Sequence, residues 1–191
     1  MNKKTTLFLV LTALFSALVF VVTFLLPVPI GVVGFVNFGD AIIFITSMVL
    51  GPFAGAVAGG VGSSLADLFL GYATYAPFTF VIKGAEGFVC GLLYKKLFNG
   101  KKSWVCRLVS MTIAGAVATV GYFFADFILY GIYAALPNCA FMLLQVGVSM
   151  VIAFVALPRV PSLYDSVVIG NEKADETDCD ESEIKEDTSE K

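Results

Sequence analysis

Five charged side chains interrupt apolar stretches of this chain: Asp40, Asp67, Lys83, Glu86 and Asp126. Four carboxylates and one ammonium could move protons, pair among themselves, or grip a polar ligand. Lys83 and Glu86 stand three residues apart in "APFTFVIKGAEGFVCGLLYKK", residues 76–96, and so share a helix face. They can pair with each other, and Lys83 can equally answer Asp67 or Asp126. Gly84 and Gly87 leave that helix thin enough for a neighbour or ligand to approach its backbone. Acid–base catalysis would need a nucleophile and base at matched spacing, and none is recognisable. The chain has no histidine, which removes His-based metal sites and nucleophile–His pairs. Cys90, Cys106, Cys139 and Cys179 form no C-x-x-C and no metal-ligand spacing. The expectation is a protein that is not an enzyme and needs neither metal nor cofactor.

The elements that carry these charges are membrane helices. Of 191 residues, 58% are hydrophobic and only 14% charged, with a mean hydropathy of +0.89. Soluble domains are about 45–50% apolar and about 25% charged, so this is an integral membrane protein. Apolar runs at about 7–26, 36–50, 53–71, 77–94, 106–130 and 138–158 predict a compact all-α bundle of six transmembrane helices. The second run is short and contains Asp40, and Gly51-Pro52 could join it to the third as a re-entrant pair. The first run is longer than a signal-peptide core and lacks an A-x-A-like cleavage site, so it reads as an uncleaved helix. Residues 1–160 form the membrane-embedded binding domain in this reading. Residues 161–191 form an acidic, solvated cytoplasmic tail whose charge argues against a nucleic-acid role.

Charge sets the direction of the bundle. Lys3 and Lys4, the group Lys95, Lys96, Lys101, Lys102 and Arg107, and Arg159 all fall on one side of six spans. The loops 27–35, 71–77 and 131–137 carry no Lys or Arg. The positive-inside rule then puts both termini in the cytoplasm. On that count Asp40, Asp67, Lys83 and Asp126, from four helices, converge on the outer leaflet. Asn138 lies at the mouth of the sixth helix and Gln145 in its outer half, with Tyr72, Tyr75, Tyr130 and Tyr133 at the same level. Two readings fit this cluster. It is a structural ion-pair network under an aromatic belt, or an outward-opening pocket in which aromatics stack on a ring and polar groups orient it. In the pocket reading Lys83 is the sole cation and Glu86 is more structural. Lys83→Ala is then expected to weaken binding and leave expression intact.

Two rows of small residues line the third run: Gly51, Gly55, Gly59, Ser63, and beside them Ala54, Ala58, Gly62, Ala66. Such rows let helices pack closely in lipid. Ala13 and Ala17 make a smaller patch on the first helix, facing either another helix or a partner protein. "NGKKS" at 99–103 is not a phosphate-binding loop, because the first glycine is missing at its required distance. Nor do the halves show an inverted repeat or paired broken helices. These residues describe a receptor for something small that lacks its own energy source. An autonomous permease and an intramembrane enzyme are the other classes.

Residues 5–158 resemble the substrate-specific (S) component of energy-coupling factor (ECF) transporters, in the riboflavin-transporter-type group. The sharpest matches are Gly39-Asp40, Gly51-Pro52 with Gly55, Ala66-Asp67-Leu68, and Ala76-Pro77-Phe78 running to Ile82-Lys83-Gly84. The Ala13/Ala17 patch also matches, and the resemblance implies that it docks on a transmembrane coupling subunit. The resemblance further implies a bacterial multi-pass plasma-membrane protein. Such a protein takes a vitamin or precursor at the outer face and delivers it inward with the coupling subunit and two ATPases. Riboflavin, pyridoxine, hydroxymethylpyrimidine or a similar heterocycle all fit. Asp40, Asp67, Tyr75, Lys83, Asp126, Asn138 and Gln145 are the expected ligand-binding residues.

Overall fold

Long apolar runs must satisfy their backbone groups internally in lipid, which favours helices. The computed structural model describes residues 3–30, 34–98 and 104–158. Six helices occur among them: α1 (Lys3–Leu25), α2 (Gly39–Val49), α3 (Pro52–Phe69), α4 (Ala76–Phe98), α5 (Trp104–Tyr130) and α6 (Ile132–Ala156). Four of these, α1, α4, α5 and α6, are long and apolar enough to cross a membrane. At 11 residues, α2 is about 16 Å long, roughly half a bilayer core. α3 has 18 residues, with glycines and serines diluting its hydropathy.

A two-stranded hairpin explains why α2 is short. β1 (Val28–Ile30) and β2 (Gly34–Val36) pair antiparallel, with Val28 opposite Val36. The sequence reads as a plain loop here, yet Val28 and Ile30 before Gly31, and Val36 after Gly34, are a hairpin signal. α2 and α3 then meet at a tight corner. Gly51 takes φ 96°, a conformation that disfavours a side chain, and Pro52 opens the next helix.

Small residues set the spacing of α3 against its neighbours. A Cβ on Gly87 of α4 would stand 2.3 Å from the Gly55 carbonyl oxygen, and one on Gly59 would stand 2.6 Å from that of Lys83. On the other row, a Cβ on Gly62 would meet the Ser16 carbonyl oxygen of α1 at 2.6 Å. Ala58 closes a small core with Val19 of α1 and Ile43 of α2. Both rows therefore face other helices of the same chain.

The helix bounds differ from the sequence reading by four residues or more at three ends, one of them the end of α4 at Phe98, not residue 94. α1 begins at Lys3, not residue 7, and α6 at Ile132, not residue 138. The shift of α6 arises because Pro137 lies inside it. A proline this near the start forfeits one backbone hydrogen bond without ending the helix. Lys101, Lys102, Arg159, Cys179 and the whole acidic tail lie outside the described residues.

Candidate ligand-binding site

α4 and the turn before it supply the axis of the site. Tyr75, Thr79, Lys83, Glu86 and Cys90 follow one another at helical spacing, and all five are buried. The glycines of the opposite edge of α4 hold it against α3, which aims this stripe at α2, α5 and α6. Two polar clusters form along it.

The inner cluster centres on Lys83, only 2% exposed. Its ammonium donates to Asp40 Oδ1 at 2.5 Å and to Glu86 Oε2 at 2.8 Å. The second oxygen of Asp40 accepts from the Gln145 amide at 2.8 Å, and Gln145 Oε1 accepts from the Asn37 backbone N–H at 3.1 Å. Asn37 in turn accepts from the Gly39 N–H at 2.9 Å, next to the start of α2. Asp40 occupies the first turn of α2, where the helix dipole favours an anion. The Tyr122 ring of α5 lies 5.5 Å from the ammonium, within cation–π reach. Glu86 Oε1 is buried without a hydrogen-bond partner.

The outer cluster lies one and two turns nearer the start of α4. The Tyr75 hydroxyl donates to Asp126 Oδ1 at 2.5 Å, and the Asn138 amide donates to Asp126 Oδ2 at 3.2 Å. Burial first, and then this bond to Asp126, raises the Tyr75 phenol above its ordinary value, so it stays a donor. The Tyr75 and Tyr130 rings stack at 5.9 Å with 22° between their planes. Asp67, near the end of α3, is buried as well. Thr79 Oγ1 accepts from the Tyr122 hydroxyl at 3.1 Å.

All seven residues expected at the site are thus buried or half-buried inside the bundle, and they fall into these two groups. Three details change. Of the partners left open for Lys83, Glu86 is bonded and Asp67 and Asp126 are not, while Asp40 is an added one. Removing Lys83 would leave two buried carboxylates without their counter-ion. Asp40 stands in the first turn of α2 as expected, whereas Gln145 falls near the midpoint of α6 because that helix starts six residues early. The tyrosines also divide: Tyr75 points inward, whereas Tyr133 is 93% exposed and belongs to the outer surface.

Asn37, Thr79 and Tyr122 belong to the site and were missed. The last two were within reach of the helical repeat. Thr79 lies four residues before Lys83 and Tyr122 four before Asp126, positions that share a face with residues already singled out. No such signal marks Asn37, whose role depends on the hairpin. Among the described residues no group of His, Cys, Asp and Glu could hold a metal ion. Ala13 and Ala17 lie elsewhere, exposed on α1 among the equally exposed Leu14, Leu18 and Val21.

The model of the family "ECF-type riboflavin transporter, S component" matches residues 3–160. An uncharacterised protein of Pyrococcus woesei is 40% identical over 112 residues, covering 58% of this chain and 72% of its own length. The thiamine precursor transporter HmpT of Lactococcus lactis subsp. cremoris (strain MG1363) is 29% identical over 162 residues, 84% of this chain and 91% of its own. The solved structure of ThiT from Listeria monocytogenes shares the fold, with a TM-score of 0.68 over 85% of this chain and 99% of its own at 21% identity.

Proposed function

Because this chain belongs to the ECF-type riboflavin transporter S component family, we propose that it captures a vitamin or vitamin precursor at the outer face and passes it inward with a coupling subunit and two ATPases. It is a multi-pass membrane protein of a transporter family, not an enzyme. Asp67, Tyr75, Asp126 and Asn138 form the ligand-facing wall in this reading. Lys83, Asp40 and Gln145 form a braced floor beneath it. Both termini are cytoplasmic, and the exposed Ala13/Ala17 face of α1 receives the coupling subunit.

One observation supports this most: buried charged and amide side chains from α2, α3, α4, α5 and α6 meet around Tyr75 and Tyr122. Ionisable groups inside a membrane bundle mark a binding or transport path, since hydrocarbon is a poor place for them otherwise. The stacked Tyr75–Tyr130 pair suits a flat ring. Riboflavin, pyridoxine and hydroxymethylpyrimidine all have that shape, and the likeness to a thiamine precursor transporter supports a precursor.

The test is purification of the chain alone, followed by mass spectrometry of released small molecules and uptake assays in proteoliposomes. A receptor retains a heterocycle, and uptake appears only when the coupling subunit and ATPases are added. Uptake by the chain alone would make it an autonomous permease.

A further inference from the structure

Acids and bases do not balance inside this bundle. Among the described residues the buried carboxylic side chains are Asp40, Asp67, Glu86 and Asp126, and the buried basic side chain is Lys83. Its ammonium is already committed, to Asp40 at 2.5 Å and to Glu86 at 2.8 Å. The loops 71–77 and 131–137 that border the outer cluster contain no Lys or Arg. The outer cluster therefore has carboxylate without a cation of the described chain beside it.

Asp126 carries the argument because its contacts are geometric. Its Oδ1 accepts from the Tyr75 hydroxyl, and its Oδ2 accepts from the Asn138 amide at 3.2 Å. Both oxygens act as acceptors, the arrangement that an ionised carboxylate adopts. A phenol and an amide orient that charge without neutralising it. At 3% exposed, Asp126 gains little from bulk water. The Tyr75 ring stacks on Tyr130 at 5.9 Å, and Tyr130, the last residue of α5, keeps half of its surface open. A carboxylate beside tyrosine rings draws positive charge twice, by its own charge and by the ring quadrupole. The inner cluster shows the same combination with the chain's own cation in it: Lys83 between two carboxylates, 5.5 Å from the Tyr122 ring.

We infer that the ligand of the outer cluster is a cation: a heterocycle with a positively charged ring nitrogen, its charge met by Asp126 and its ring lying against Tyr75 and Tyr130. This rests on the receptor reading above and narrows it from any flat heterocycle to a charged one. Asn138 is a positioning residue here, acting through Asp126.

Equilibrium binding to the purified full chain, read by calorimetry, tests this. The probes are thiamine, whose thiazolium ring is permanently positive, and deazathiamine, in which a neutral thiophene of nearly the same size replaces that ring. Riboflavin is the uncharged comparison. Thiamine is expected to bind at least about tenfold tighter than either neutral probe. Asp126→Asn should bring thiamine to within about threefold of deazathiamine, whose own affinity should change by less than about threefold. If Asp126→Asn does not fold, Tyr130→Leu decides, and the preference for thiamine should shrink about two- to fivefold. Equal affinity for thiamine and deazathiamine, which a proton on Asp126 would give, overturns the inference. So does tighter binding of riboflavin, or a preference for thiamine undiminished in the variant that folds. A chain that binds none of the three overturns it as well. If, in addition, no small molecule co-purifies with the chain, the receptor reading falls with it.

Discussion

Around Lys83 the charges are spent on each other: the ammonium holds Asp40 and Glu86, and Gln145 takes what remains of Asp40. One turn nearer the start of α4, the Asp126 carboxylate accepts from the Tyr75 hydroxyl and the Asn138 amide. The two regions share α4 and lie about one helical turn apart, yet an ammonium joins carboxylates in one, whereas a phenol and an amide donate to a carboxylate in the other. Buried charge in a membrane bundle is therefore not one signal but two. A carboxylate bonded to an ammonium ties helices together by charge, and one bonded to a phenol and an amide is held by neutral donors.

Removing the centre of the inner cluster should have the largest effect. Lys83→Met leaves Asp40 and Glu86 facing each other's charge, which costs about 3–5 kcal/mol by analogy with broken buried pairs. Thermal unfolding in detergent reads this. A variant as stable as wild type would erase the distinction between brace and binding wall. Gly87→Ala comes next, because its Cβ would meet the Gly55 carbonyl oxygen at 2.3 Å. Overpacking of this kind costs about 1–3 kcal/mol. Since α4 carries both clusters, the variant should lose stability and ligand together.

Smaller effects sharpen the contrast. Tyr75→Phe removes one donor to Asp126 and should lower stability by about 0.5–1.5 kcal/mol. It should also weaken ligand binding, which a purely structural tyrosine would not. Ala13→Leu with Ala17→Leu touches neither cluster, so stability should stay within about 0.5 kcal/mol and binding should be untouched. Uptake in the presence of the coupling subunit and ATPases should stop. Normal uptake would move the docking face elsewhere.

Much of this was readable from residue types alone. The apolar runs, the glycine rows of α3 and the inward convergence of Asp40, Asp67, Lys83 and Asp126 follow from composition and helical repeat. What was not readable depended on depth. The hairpin before α2 is set by strand pairing across Val28 and Val36, and the early start of α6 by a proline tolerated within a helix. Those two features place Asp40 opposite the middle of α6, and with it the true partners of Lys83. A charge pair across 43 residues has no periodicity to betray it. Thr79 and Tyr122 were legible from the helical repeat, which places them four residues before Lys83 and Asp126.

Native mass spectrometry of the purified chain probes the binding wall most directly. The wild type should carry one small heterocycle per chain. Asp126→Asn, which keeps the inner brace intact, should remain folded and arrive empty. An empty wild type, or a folded Asp126→Asn chain still fully loaded, would contradict the view that the outer cluster holds a nutrient.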